Sequence, residues 1–137
     1  GASEEASFAI ALCKDIPDLD TLSLIPQAWF NNCLHIRIFR TQVVIDVFTN
    51  GSYILGIATF GVGVLNPDSK HKFRIDVTGN TVRVWRNNQY IGDATDSRFG
   101  AFTDARYLFW EVYSNPTAAG LKYDGSINSV AAYYLQP

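Results

Sequence analysis

The run FRIDVTGNTVRVWRNNQYIGDATD, Phe73 to Asp96, decides the fold. Phe73, Ile75 and Val77 alternate with Arg74, Asp76 and Thr78, and beyond Gly79-Asn80 the residues Val82 and Val84 alternate with Arg83 and Trp85. A two-residue alternation places one set of side chains on a core and the other on an open sheet face. Gly79-Asn80 and Asn87-Asn88 tolerate positive φ, which two-residue hairpin turns require. The run therefore predicts three antiparallel strands joined by two tight turns. Its open face is expected to carry Arg83, Trp85, Asn87 and Gln89, a flat ring beside planar hydrogen-bonding groups.

Working outward, strand patterns recur at Ser7 to Cys13, Leu34 to Arg40, Gln42 to Thr49, Tyr53 to Thr59, Lys72 to Thr78, Thr81 to Arg86, Gln89 to Gly92, Arg106 to Ser114 and Ser126 to Leu135. Asn50-Gly51 between two apolar runs is a strong hairpin signal. Ile16 to Asn32, with Pro17 and Pro26, is the least regular stretch, and Thr21 to Ile25 reads as a short helical turn. No segment sustains helical periodicity over three turns. Short strands with closely spaced turns predict an all-β chain, a two-sheet antiparallel β-sandwich or jelly roll. The 137 residues fit one such domain, with no internal repeat and no linker. Gly56 to Gly63 is glycine-rich but lacks the Gly-Lys-Ser/Thr ending of a phosphate loop, and reads as a strand bending at bulges.

Composition excludes several classes. Hydrophobic residues make up 47% and charged ones 18%, which suits a globular core and not disorder. With 11 basic against 13 acidic residues and no basic cluster, nucleic acid is not an expected partner. No run approaches the roughly 20 apolar residues that span a bilayer, so no membrane insertion is expected. No signal-peptide pattern opens the chain, and Gly1-Ala2-Ser3 suggests a mature or excised fragment of a larger protein. Cys13 and Cys33 leave two readings, a disulfide or a pair of buried thiols, and without spaced histidines they make no zinc site. Asn50-Gly51-Ser52 matches an N-glycosylation acceptor, although the hairpin turn already accounts for it.

Two further runs carry a family resemblance. GNTVRVWRNNQYIGDATDSRF, Gly79 to Phe99, resembles the hairpin of concanavalin A-like lectin and glucanase domains. YLFWEVYSNPTAAGLKYDGSI, Tyr107 to Ile127, is similar to the penultimate strand of that superfamily and the Gly-Leu-x-x-Asp-Gly segment that follows it. Asn87-Asn88 fills the turn that Gly or Asp-Gly occupies in the laminin-G form. The resemblance implies a lectin-like sandwich that binds a glycan or polysaccharide. Such domains occur in secreted enzymes and bacteriophage tail fibres, so an extracellular or virion-surface location is expected.

Catalysis in that superfamily uses paired carboxylates roughly 5 Å apart. Here the glutamates are Glu4, Glu5 and Glu111. Glu111 has no acidic neighbour two or four positions away, so a glycan hydrolase would need Asp46 or Asp76 from another strand. His35 and His71 lie on separate strands or strand ends, with no Ser or Cys in a recognisable nucleophile setting, and are expected to be exposed. The non-catalytic reading is therefore favoured. Calcium is considered at Asp93, Asp96 and Asp104, acids spread over one loop region, but no cofactor or metal is assigned. A pyranose needs a flat ring to stack on and fixed donors and acceptors beside it. Arg83, Trp85, Asn87, Asn88, Gln89 and Tyr90 meet that description locally. Trp110 is expected in the core, and Trp29, beside Phe30 and Asn31-Asn32, reads as the rim of a site or a lid over the core. The alternative to glycan binding is an oligomerisation module of a fibre or capsid-like assembly, its aromatics buried between copies.

Overall fold

The computed structural model describes residues 6–18, 30–39, 41–61 and 70–114. Within them the chain forms β1 (Ala6–Cys13), β2 (Cys33–Phe39), β3 (Gln42–Thr49), β4 (Ser52–Gly61), β5 (Phe73–Thr78), β6 (Thr81–Arg86), β7 (Gln89–Thr95), a 3-10 turn (Phe99–Phe102) and β8 (Tyr107–Ser114). The strands make two antiparallel sheets, a wide one in the order β4-β3-β2-β1-β8 and a narrow one in the order β5-β6-β7. The all-β sandwich expected from the alternation is the fold. The candidate strand at Ser126 to Leu135, the helical turn at Thr21 to Ile25, and Glu4, Glu5 and Trp29 lie outside the described residues.

The core between the sheets follows from the pattern. Leu34, Ile36 and Ile38 of β2 and Val43, Ile45 and Val47 of β3 meet Val82 and Val84 of β6, with Phe99 and Phe102 of the 3-10 turn closing one side. Phe73, Ile75 and Val77 pack against that cluster partly buried, on the inward register read from the sequence. Each Val or Ile taken fully out of water contributes about 1.5–3 kcal/mol. The hairpins form where positive φ is tolerated: Asn50 (50°) with Gly51 (79°), and Asn87 (50°) with Asn88 (66°).

β7 runs to Thr95, past the Gly92 at which the sequence pattern ends. A Cβ on Gly92 would stand 3.0 Å from Phe60 Cδ1 of β4. The glycine therefore marks a close approach between the sheets and not a strand end. The glycine-rich stretch bends as read: the β3–β4 register shifts between Ile45 and Val47, and Gly56 has φ 66°.

Two expectations are corrected. His35 is 1% exposed, not an open strand residue. It lies on the second face of the wide sheet, where Phe30 stacks at 5.2 Å from its ring and 5.4 Å from Phe48, so this face is covered as well. Trp110 is 54% exposed, not core. Its register partner is Ile10, but among the described residues β8 ends the strand order of the wide sheet, and alternation cannot distinguish an edge strand from a central one.

Candidate functional site

Of the residues singled out from sequence, Arg83, Trp85 and Tyr90 lie on the outer face of the narrow sheet, and Trp29 lies outside the described residues. Register sets them in rows across the three strands: Arg74 beside Trp85 beside Tyr90, then Asp76 beside Arg83 beside Asp93, then Thr78 beside Thr81 beside Thr95. Strict antiparallel continuation from Val84–Gly92 would place Ile91 opposite Trp85. A register shift between Val84 and Trp85 places Tyr90 there instead, and Ile91 packs toward the core. This one-residue bulge creates the aromatic pair.

The rings of Trp85 and Tyr90 are 5.6 Å apart at 64°, and the Arg74 guanidinium lies 4.8 Å from the Trp85 ring centre. Trp85 is thus half-buried, whereas Tyr90 is 49% exposed. Arg74 donates to both Asp76 oxygens, Nε at 2.9 Å and Nη2 at 2.7 Å, and this bond with the Asp76 charge raises the Arg74 pKa further. The Tyr90 hydroxyl donates to Asp93. That bond, with burial and the Asp93 charge, pushes the phenol up, and nearby Arg83 opposes the shift. Arg83 stands in register between the two carboxylate-bearing residues. The face is a pre-oriented array of guanidiniums, carboxylates and hydroxyls with one exposed ring.

The turn residues divide. Asn87 is structural: its N–H donates to Lys72 O at 2.8 Å and its Oδ1 accepts from Lys72 N at 2.9 Å, tying the β6–β7 turn to the start of β5. Asn88 is exposed at the turn. Gln89 pairs with Arg86, the residue opposite inward-facing Phe73, so it is one register off the Trp85 face and sits at its rim. Asn50 and Gly51 serve the β3–β4 hairpin as read, with Asn50 N donating to Asn32 Oδ1 at 3.0 Å.

A second polar cluster escaped the sequence reading. Asp46, with no exposed surface, accepts from Arg37 through Nε at 2.7 Å and Nη2 at 2.8 Å, from Gly56 N at 2.8 Å and from His35 Nδ1 at 3.1 Å. A carboxylate only accepts, so His35 carries its proton on Nδ1 here. Burial alone pushes the Asp46 carboxyl up, but the bonds from His35 and Arg37, the Arg37 charge and the Gly56 N–H together hold it below its ordinary value. The signal was a lone Asp within VVIDVF, beside LHIRIF with His and Arg at alternate positions. With Asp46 and His35 buried and Arg37 partly exposed, the cluster joins β2, β3 and β4.

That arrangement bears on the hydrolase reading. Glu111 pairs with Ala9 and Asp46 with His35, and β1 and β2 stand between β8 and β3. Three strand spacings separate the two backbones by about 14 Å. Asp76 belongs to the other sheet and is bound to Arg74. The acids considered for calcium also go separate ways. Asp93 takes the Tyr90 hydroxyl, and Asp104 lies 4.0 Å from Lys14 Nζ. Asp96 is gripped by Arg98 through Nε at 2.7 Å and Nη2 at 2.6 Å, which holds its carboxyl at about 2. Among the described residues no three His, Cys, Asp or Glu side chains come together as a metal site, and no helix is long and apolar enough to cross a membrane.

No family model matches the chain, and no curated protein and no solved structure matches it.

Proposed function

We propose that this chain is a non-catalytic carbohydrate-binding domain whose site is the outer face of β5, β6 and β7. The observation that carries the reading is the pairing of Trp85 and Tyr90 beside Arg83, with Asp76 and Asp93 held in fixed orientations. Vicinal hydroxyls of a sugar both donate and accept, and a surface offering carboxylate acceptors and guanidinium donors side by side matches them. Arg74 and Arg83 balance Asp76 and Asp93, so a neutral, hydroxyl-rich glycan is favoured over an anionic one. The resemblance of Gly79 to Phe99 and Tyr107 to Ile127 to concanavalin A-like domains supports the same reading, and with it a place on the outside of a cell or virion.

The test is an array of neutral oligosaccharides and polysaccharides, followed by calorimetric titration of the best ligand. Tyr90→Ala and Trp85→Ala should each weaken binding about tenfold or more, since an aromatic contact contributes about 1 kcal/mol beyond its area. Both variants should remain folded, because neither ring belongs to the core between the sheets. Unchanged affinity in well-folded variants would place the site elsewhere, and an array without a neutral ligand would remove the reading.

A second reading rests on a different surface. Tyr53, Ile54 and Leu55, consecutive and exposed on edge strand β4, favour an oligomerisation module in which β4 pairs with another copy.

A further inference from the structure

Cys13 is the last residue of β1 and Cys33 the first of β2, and they are direct register partners. The backbone bond from Lys14 N to Asn32 O, 3.0 Å, identifies the kind of pair. In an antiparallel ladder, a bond from the residue after one partner to the residue before the other brackets a non-hydrogen-bonded pair. In such pairs the Cα atoms stand about 4.5 Å apart and the side chains lean closest. That separation lies within the ~4.4 to ~6.8 Å that disulfides span. Both side chains leave the sheet on the same face, 1% and 0% exposed, packed with Ala11, Phe30 and Phe48. The two cysteines carry thiols here.

We infer that Cys13 and Cys33 are a disulfide-forming pair, closed by oxidation into a covalent clamp between β1 and β2. The oxidant class is a low-molecular-weight disulfide such as oxidised glutathione. One cysteine thiolate attacks it, forming a mixed disulfide and expelling one glutathione thiolate. The other cysteine, deprotonated in turn, attacks the protein sulfur of that mixed disulfide, and the second glutathione leaves. The protein loses two S–H bonds and gains one S–S bond, while the oxidant's S–S bond becomes two thiols. Access follows from position. The pair closes the end of the β1–β2 ladder beside exposed Lys14 and Asn31, and ladder ends open locally at far lower cost than strand centres. Closure joins the two ends of the 14–32 connection and so restricts the unfolded chain as well.

The experiment incubates the whole chain in reduced and oxidised glutathione at graded ratios, blocks remaining thiols with an alkylating agent under denaturing conditions, and reads mass, peptide map and thermal melt. The expected product is lighter by two hydrogen atoms, resists alkylation, and yields a linked peptide containing Cys13 and Cys33. Its melting temperature should exceed that of the reduced chain by about 10 °C. In Cys33→Ala that oxidation-dependent rise should vanish. The wild-type mass stands as evidence even if this variant folds poorly. Two alkylated cysteines at the most oxidising ratio, or glutathione retained on one cysteine without an internal bond, would overturn the inference.

Discussion

Asp46 shows what one buried carboxylate demands. Arg37, His35 and the Gly56 N–H all reach it, and removing the charge leaves those donors facing a neutral group. Asp46→Asn should therefore cost about 3 kcal/mol at neutral pH, read by urea unfolding. The folded carboxyl lies below its ordinary value, whereas the unfolded one is near the usual 3.9 or so. The unfolded chain thus takes up the proton first as pH falls. The Asp46 contribution is present above about pH 4 and is lost as pH drops through the folded value. Unfolding free energies at several pH values below about 4 should show a shallower acid limb in Asp46→Asn than in the parent. An unchanged limb would assign the acid sensitivity to other carboxylates. Little of this was legible beforehand: a lone Asp among valines signals a buried polar group, but its partners come from two other strands.

Among the elements, the β6–β7 hairpin carries both the turn chemistry and the proposed site. Its two positive-φ asparagines look equivalent in sequence, yet only Asn87 bonds to Lys72 through its side chain. Asn88→Ala should cost about 1 kcal/mol, from the left-handed backbone alone. Asn87→Ala should cost about 2 kcal/mol, adding the lost hydrogen bond, and should also speed amide exchange at Lys72, where β5 begins. Equal costs with unchanged exchange would show that the tie to β5 contributes nothing. The hairpin was legible because its turn residues and alternation are local. The bulge that puts Tyr90 opposite Trp85 was not, because a one-residue shift depends on how Ile91 finds the core.

At the scale of the molecule, the wide sheet ends among the described residues in β4, a ten-residue strand without a charge or a proline. Such a strand lacks two of the usual protections against edge-to-edge pairing, a charged side chain and a proline. If β4 joins two copies, light scattering behind size exclusion should report a dimer for the parent chain and a monomer for Leu55→Lys, with the melt of the variant little changed. A parent chain that stays monomeric across a wide concentration range removes the oligomerisation reading and leaves the glycan site untouched, since the two surfaces belong to different sheets.

Alternation and turn residues alone determined that this chain is all-β, where most strands lie, and which side chains share a face within one unbroken strand. Those properties follow from the two-residue repeat of an extended backbone and from steric limits on φ, both of which act over a few residues. Only the tertiary structure decided what covers each face. It buried His35 and Asp46 under Phe30 and beside Arg37, left Trp110 exposed on β8, and set Cys13 opposite Cys33. These outcomes depend on strand order, sheet width and register between segments far apart in the chain. Such quantities are settled by packing over the whole core, and no local pattern encodes them.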